Sequence, residues 1–226
     1  TTCRRQRQMC IRDRDMTAQR GVVAAFELSW NELDEDSKAL GCLLSLFASA
    51  PIPWDLVEKC LLKDESQEKG IIQQWFPTFL RLLLFCMPRK AANVLDLNTW
   101  KHKRDDKLIN FSLLQYLGGS NYGLHPLIRQ YFRNKFAGFC SSVEEMKYSI
   151  CKVIAESARE IPDTITVQKV SEVEVYIPHI VEVAENLHEF LSDDDLINPF
   201  VGLGRFYEGQ GLYPLAQPWL EKGKEI

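Results

Sequence analysis

Apolar residues recur along this chain at three- and four-residue intervals, in stretches broken by acids, prolines and glycines. Val22, Val23, Phe26 and Trp30 form the first stripe. The run from Asn31 to Ser37, NELDEDS, breaks it with acids suited to opening a helix. Leu40, Leu43, Leu44 and Phe47 predict a second helix from Asp36 to Ala48. Pro53 can start a third over Trp54–Leu62, with Trp54, Val57, Cys60 and Leu61 inward. Ile71, Ile72, Trp75, Phe76, Phe79, Leu80 and Leu83 support a further apolar helix whose stripe reads as core. Pro88-Arg89-Lys90 and Lys101-His102-Lys103-Arg104 read as solvated charge between elements. Asp105–Leu114 then reads as a helix, Leu113–Leu117 as a strand, Gly118-Gly119-Ser120-Asn121 as a turn and Tyr122–Leu124 as the return strand.

Next comes an amphipathic helix opened by Pro126, whose missing N–H has no partner at a first helical position anyway. Leu127, Ile128, Tyr131 and Phe132 take one face, and Arg129, Arg133 and Lys135 the other. His125 is thereby fixed at a strand-to-helix junction, where backbone N–H groups and the positive dipole end favour anions. A phosphate contact and an ordinary buried histidine both fit that position.

Helix, helix, helix, hairpin and closing helix is the layout of a winged helix, here with a long insertion at about 64–103. The segments from Gly21 to Leu62, LINFSLLQYL and NYGLHPLIRQYF resemble the winged-helix domain of NB-ARC-type signalling ATPases, the STAND class, of the bacterial and cyanobacterial kind that carries tetratricopeptide repeats. In that family the turn before the last helix bears a Met-His-Asp-like motif whose histidine contacts the β-phosphate of ADP. Leu124-His125-Pro126 aligns with it, keeping the histidine and replacing the aspartate by proline. The resemblance therefore implies a nucleotide-sensing role for His125 alone, with ADP or ATP held by an upstream nucleotide-binding core. The chain has no G-x-x-x-x-G-K-[ST] and no apolar strand ending in paired acids, so no ATPase or other enzymatic activity is expected of it, and no cofactor is expected to bind it alone.

Beyond Phe136, Ser141-Ser-Val-Glu-Glu predicts a capped helix to about Ile161, with Met146, Ile150, Val153 and Ile154 inward. Gln168–Leu191 holds one or two more, buried on Ile177, Ile180, Val181, Val183, Ala184 and Leu187. Phe200, Leu203, Gly204, Tyr207, Gly211, Tyr213, Ala216, Leu220 and Gly223 then fall at the spacing of a tetratricopeptide repeat, which they resemble. Gly204 and Ala216 would sit where its two helices cross, with Leu203, Tyr207, Tyr213 and Leu220 around them. Such units bury their faces only by stacking, so a longer parent and a protein partner for the array are expected. The expected organisation is an arm or non-native scar over 1–20, a winged-helix domain over 21–138, a helical linker over 139–195 and a truncated repeat over 196–226. The fold class is mainly α.

Composition narrows the alternatives. Hydrophobic content of 46% and charged content of 26% are ordinary for a globular protein, and the net charge of −4 argues against a chain built mainly on nucleic acid. A DNA-binding winged helix remains the alternative, resting on Lys101, His102, Lys103, Arg104 and Lys107 before the hairpin, although the turn has no basic residue for phosphate. The seven cysteines stand singly, with no C-x-x-C pair, which suits a reducing, cytoplasmic setting. Asp193-Asp194-Asp195 and Glu144-Glu145 read as capping or solvated acids, and His102, His179 and His188 do not have metal-ligand spacing. The longest apolar run, Phe76–Met87, contains Arg81 and is too short for a bilayer, so no membrane partner is expected. RQRQMCIRDR at Arg5–Arg14 looks like a translated sequencing adapter, and no function is placed there.

Overall fold

Short polar caps and prolines divide the chain into helices that close on one hydrophobic core. The computed structural model describes residues 21, 23–62, 97–136 and 143–226. The N-terminal arm, the apolar stripe from Ile71 to Leu83, and Ser141 with Ser142 lie outside the described residues.

Helix α1 covers 23–31 and buries Trp30, while Val23 is exposed. Asp34 caps α2 (Glu35–Leu46): its carboxylate accepts the Ser37 N–H at 3.0 Å and also pairs with Lys103. Burial alone would push Asp34 up, but the hydrogen bonds from Lys103 and Ser37 outweigh it and bring it down to about 2. The expected stripe Leu40, Leu43, Leu44 and Phe47 is buried. Strand β1 (Ile52–Pro53) follows, too short to read from sequence, and then α3 (Trp54–Leu61).

The next described helix departs from expectation. It begins inside the stretch 64–103, as α4 (Leu97–His102), and widens into a π-helix over Lys103–Ile109. It ends before Ser112, whose φ of 56° is in the left-handed region and turns the chain toward the sheet. Lys101–Arg104 is therefore helical and engaged, and the reading as solvated charge between elements is corrected. Lys101 pairs with Glu58 at 3.2 Å, and Lys103 with Asp34. Arg104 forks onto Asp105 at 2.7 and 2.8 Å and lies 4.5 Å over the rings of Trp54 and Tyr122.

Strands β2 (Gln115–Gly118) and β3 (Asn121–Gly123) form the hairpin, joined through positive-φ Gly118 and Gly119. With β1 they make a three-stranded antiparallel sheet of order β1-β3-β2, in which Tyr122 faces Ile52 on one side and Tyr116 on the other. Helix α5 (Pro126–Lys135) returns to α2 and buries Ile128, Tyr131 and Phe132. Leu127, expected on the same face, is 48% exposed in the first turn.

The remainder is helical: α6 (Val143–Arg159), α7 (Val167–Val173), α8 (Ile177–Asn186), a 3₁₀ turn at His188–Phe190, α9 (Asn198–Glu208) and α10 (Tyr213–Glu225). Glycine sets the spacing of α9. A Cβ on Gly202 would come within 2.7 Å of the Ala158 carbonyl, and one on Gly204 would strike Leu220. Helices α6 and α10 thus approach α9 where it has no side chain. The described residues are mainly helical, with the small sheet set against them.

Candidate functional site

His125 is the N-cap of α5. Preceding a proline, it is confined to extended backbone, and it adopts φ −59°, ψ 137°. Its Nδ1 accepts the Leu127 N–H at 3.2 Å. In the neutral ring the proton then resides on Nε2, so the one N–H the imidazole can offer lies on the side away from its own helix. The residue is exposed. An oxygen of a phosphate or carboxylate could be met there by Nε2–H, with the Nδ1 bond fixing the ring. Pro126 brings no N–H, and the Leu127 N–H is already bonded, so the turn offers that ligand one side-chain donor rather than a cradle.

Behind this turn, α5 carries its charge into a seam. The Nε atoms of Arg129 and Arg133 both donate to the Ser45 carbonyl, at 3.1 and 2.9 Å, near the C-terminus of α2, where cations are favoured. Both guanidinia also donate to one oxygen of Glu182 on α8, at 2.9 and 2.7 Å. Burial, then the charge of Arg133, pulls Arg129 below its ordinary value. The charged face of α5 is thus an inter-helix contact.

Next to this cluster stands His179, 1% exposed. Its Nδ1 accepts the Ala48 N–H at 3.1 Å, and its Nε2 lies 2.9 Å from the Pro51 carbonyl. An acceptor at Nδ1 and a donor at Nε2 define the neutral Nε2–H tautomer. Burial, the largest influence, lowers it to about 4. Phe47 meets the ring edge-on at 5.4 Å. Two further bonds extend the seam: the Tyr176 hydroxyl donates to Asp55 at 2.9 Å and the Ser149 hydroxyl to the Cys60 carbonyl at 2.8 Å. Burial, then the Asp55 bond, pushes Tyr176 up to about 12.

The repeat positions divide. Phe200, Leu203, Gly204 and Ala216 are buried, and Tyr207, Leu220 and Gly223 are half-buried. Gly223 approaches Phe200 closely, with 3.2 Å from its Cβ position, as Gly204 approaches Leu220. Gly211 turns between the helices with φ 73°. Tyr213 is 66% exposed at the first position of α10 and fills no groove, a correction to the expected packing. Sequence reasoning missed Gly202 and His179. Gly202 falls outside the repeat pattern, and His179 is one polar residue inside an apolar helical stripe.

Other candidate chemistry is structural. Asp195 accepts from Ser192 and Asn198, at 2.8 and 3.1 Å. Glu144 and Glu145 lie in the first turn of α6. Cys42, Cys60 and Cys151 are free thiols pushed up by burial, Cys42 and Cys151 to about 12. Among the described residues no group of three or more His, Cys, Asp or Glu is placed to hold a metal ion, and no helix is long and apolar enough to cross a membrane. A cleft of about 340 Å³ between α3, α6 and α7 is lined by Lys59, Ser157, Glu160, Lys169, Glu172 and Tyr176, with Lys169 paired to Glu172 at 3.2 Å. No protein-family model, curated protein or solved structure matches this chain.

Proposed function

We propose that this chain is a non-catalytic regulatory and protein-interaction region of an NB-ARC-type, STAND-class signalling NTPase. In this reading α1 to α5 with the hairpin are a winged-helix module. His125 contacts the ADP held by an upstream nucleotide-binding core, and α9 with α10 begin a tetratricopeptide array that binds a protein partner. The observation that carries it is the His125 turn: a histidine at the N-cap of the helix after the hairpin, exposed, with Nδ1 occupied and the ring proton left to Nε2. That suits a single charge-assisted contact to a phosphate oxygen and leaves bond chemistry to the core.

Calorimetric titration of ADP tests the proposal, with this chain joined to its nucleotide-binding core. His125→Ala in the joined form should weaken ADP by about 1–3 kcal/mol, the value of a lost charge-assisted hydrogen bond. Unchanged ADP affinity would leave His125 as a helix cap only. The DNA-binding alternative is disfavoured by its own candidate residues. Lys101, Lys103 and Arg104 are already paired with Glu58, Asp34 and Asp105. A mobility shift with long duplex DNA at low salt would revive it.

A further inference from the structure

His179 joins α8 to the segment between α2 and β1 across a sequence separation of 131 residues at Ala48 and 128 at Pro51. Both ring nitrogens are spent on backbone groups of that segment. The Nδ1 bond exists only while Nδ1 carries no proton, because a protonated imidazole donates from both nitrogens and accepts at neither. A proton taken up there would set two N–H groups, that of Ala48 and that of the ring, against each other in a buried space.

We propose that this seam is an acid-responsive latch: uptake of one proton by His179 breaks its bond to the Ala48 N–H and releases α8 from the end of α2. The charges acting on the ring are Arg129 from α5 and Glu182 from α8, and Arg133 from α5 donates to that same carboxylate. The segment 47–51, FASAP, brings no titratable side chain. The Arg129 charge opposes an imidazolium and Glu182 favours one, but burial outweighs both and holds the closed ring near 4. Once the seam opens, the ring regains its ordinary value of 6.5. The open state therefore binds the proton more tightly. Opening becomes about tenfold easier for each pH unit lost between 6.5 and 4, by proton linkage. Above 6.5 the latch is insensitive to pH. The geometry that places the only buried histidine of the described residues at this contact makes the seam the element that responds. The latch does not depend on the nucleotide-sensing reading.

Amide hydrogen exchange read by NMR on the whole chain, from pH 7.5 to 4.5 and corrected for intrinsic exchange, tests this. Protection of the Ala48 amide should fall about tenfold per pH unit below 6.5 and stay below that of Ile154 within α6, which exchanges through unfolding of the whole chain. In His179→Gln, which has no proton to take up in this range, the Ala48 slope should vanish. Flat Ala48 protection in the native chain, or an unchanged slope in the variant, overturns the latch. Should the variant fail to fold, the ¹⁵N shifts of the native ring decide. A neutral Nε2–H tautomer of His179 that persists well below pH 6.5, until Ala48 protection is lost, supports it. Protonation of His179 near pH 6.5 with Ala48 still protected overturns it.

Discussion

Two histidines at the two sides of α5 and α8 show opposite uses of the same ring. His125 stands in the open, bonds one N–H two residues away and keeps its other nitrogen toward solvent. His179 is buried, and backbone atoms more than 120 residues distant in sequence take both of its nitrogens. One can meet a ligand at little cost to the fold. The other holds two parts of the fold together and is closed to any ligand while it does so. The difference lies in burial, not in the local motif. His125 follows a strand and precedes a proline, which is the pattern that draws attention. His179 also follows a proline, Pro178, in the first turn of a helix, and nothing around it suggests a site.

Substitutions sharpen that contrast. The largest effect is expected at the seam. His179→Ala leaves the buried Ala48 N–H without its acceptor and opens a gap beside Phe47, so chemical unfolding at pH 7 should show a loss of about 3 kcal/mol. Glu182→Ala leaves Arg129 and Arg133 facing each other without their shared carboxylate, and about 2 kcal/mol should be lost in the same assay, less for Glu182→Gln. His125→Ala removes only a helix cap, and about 1 kcal/mol is expected. If His125→Ala proved as costly as His179→Ala, the exposed turn would be structural too, and the contrast would fail.

Much of the architecture was legible. The stripes at Leu40–Phe47 and Ile128–Phe132, the hairpin glycines, and the Phe200, Leu203, Gly204 and Ala216 pattern all report local periodicity or turn chemistry, and local physics decides them. The departures have longer-range causes. Lys101–Arg104 is a run of cations that reads as solvent-facing, yet partners on α2, α3 and the sheet draw it into a helix. Arg129 and Arg133 read only as the charged face of α5, because Glu182 lies some 50 residues further on. Tyr213 reads as a groove filler from its spacing, but the α9–α10 crossing is set by Gly204, Ala216 and Leu220 and leaves the start of α10 outside. Gly202 carried no signal, since its neighbour is a backbone carbonyl on α6. Of the site, the position of His125 at the strand-to-helix junction followed from sequence, whereas its exposure and the seam that backs its helix did not.

The most direct test of the buried side of the contrast is denaturant unfolding of the native chain and His179→Gln at pH 7 and pH 5. His179 has its value lowered in the folded state, so its contribution is present in full above 6.5 and is lost as the pH falls toward 4. From pH 7 to pH 5 the native chain should lose about 2 kcal/mol more than His179→Gln. Equal losses in the native chain and His179→Gln would contradict the account, because the buried ring would then carry none of the pH dependence that its burial requires.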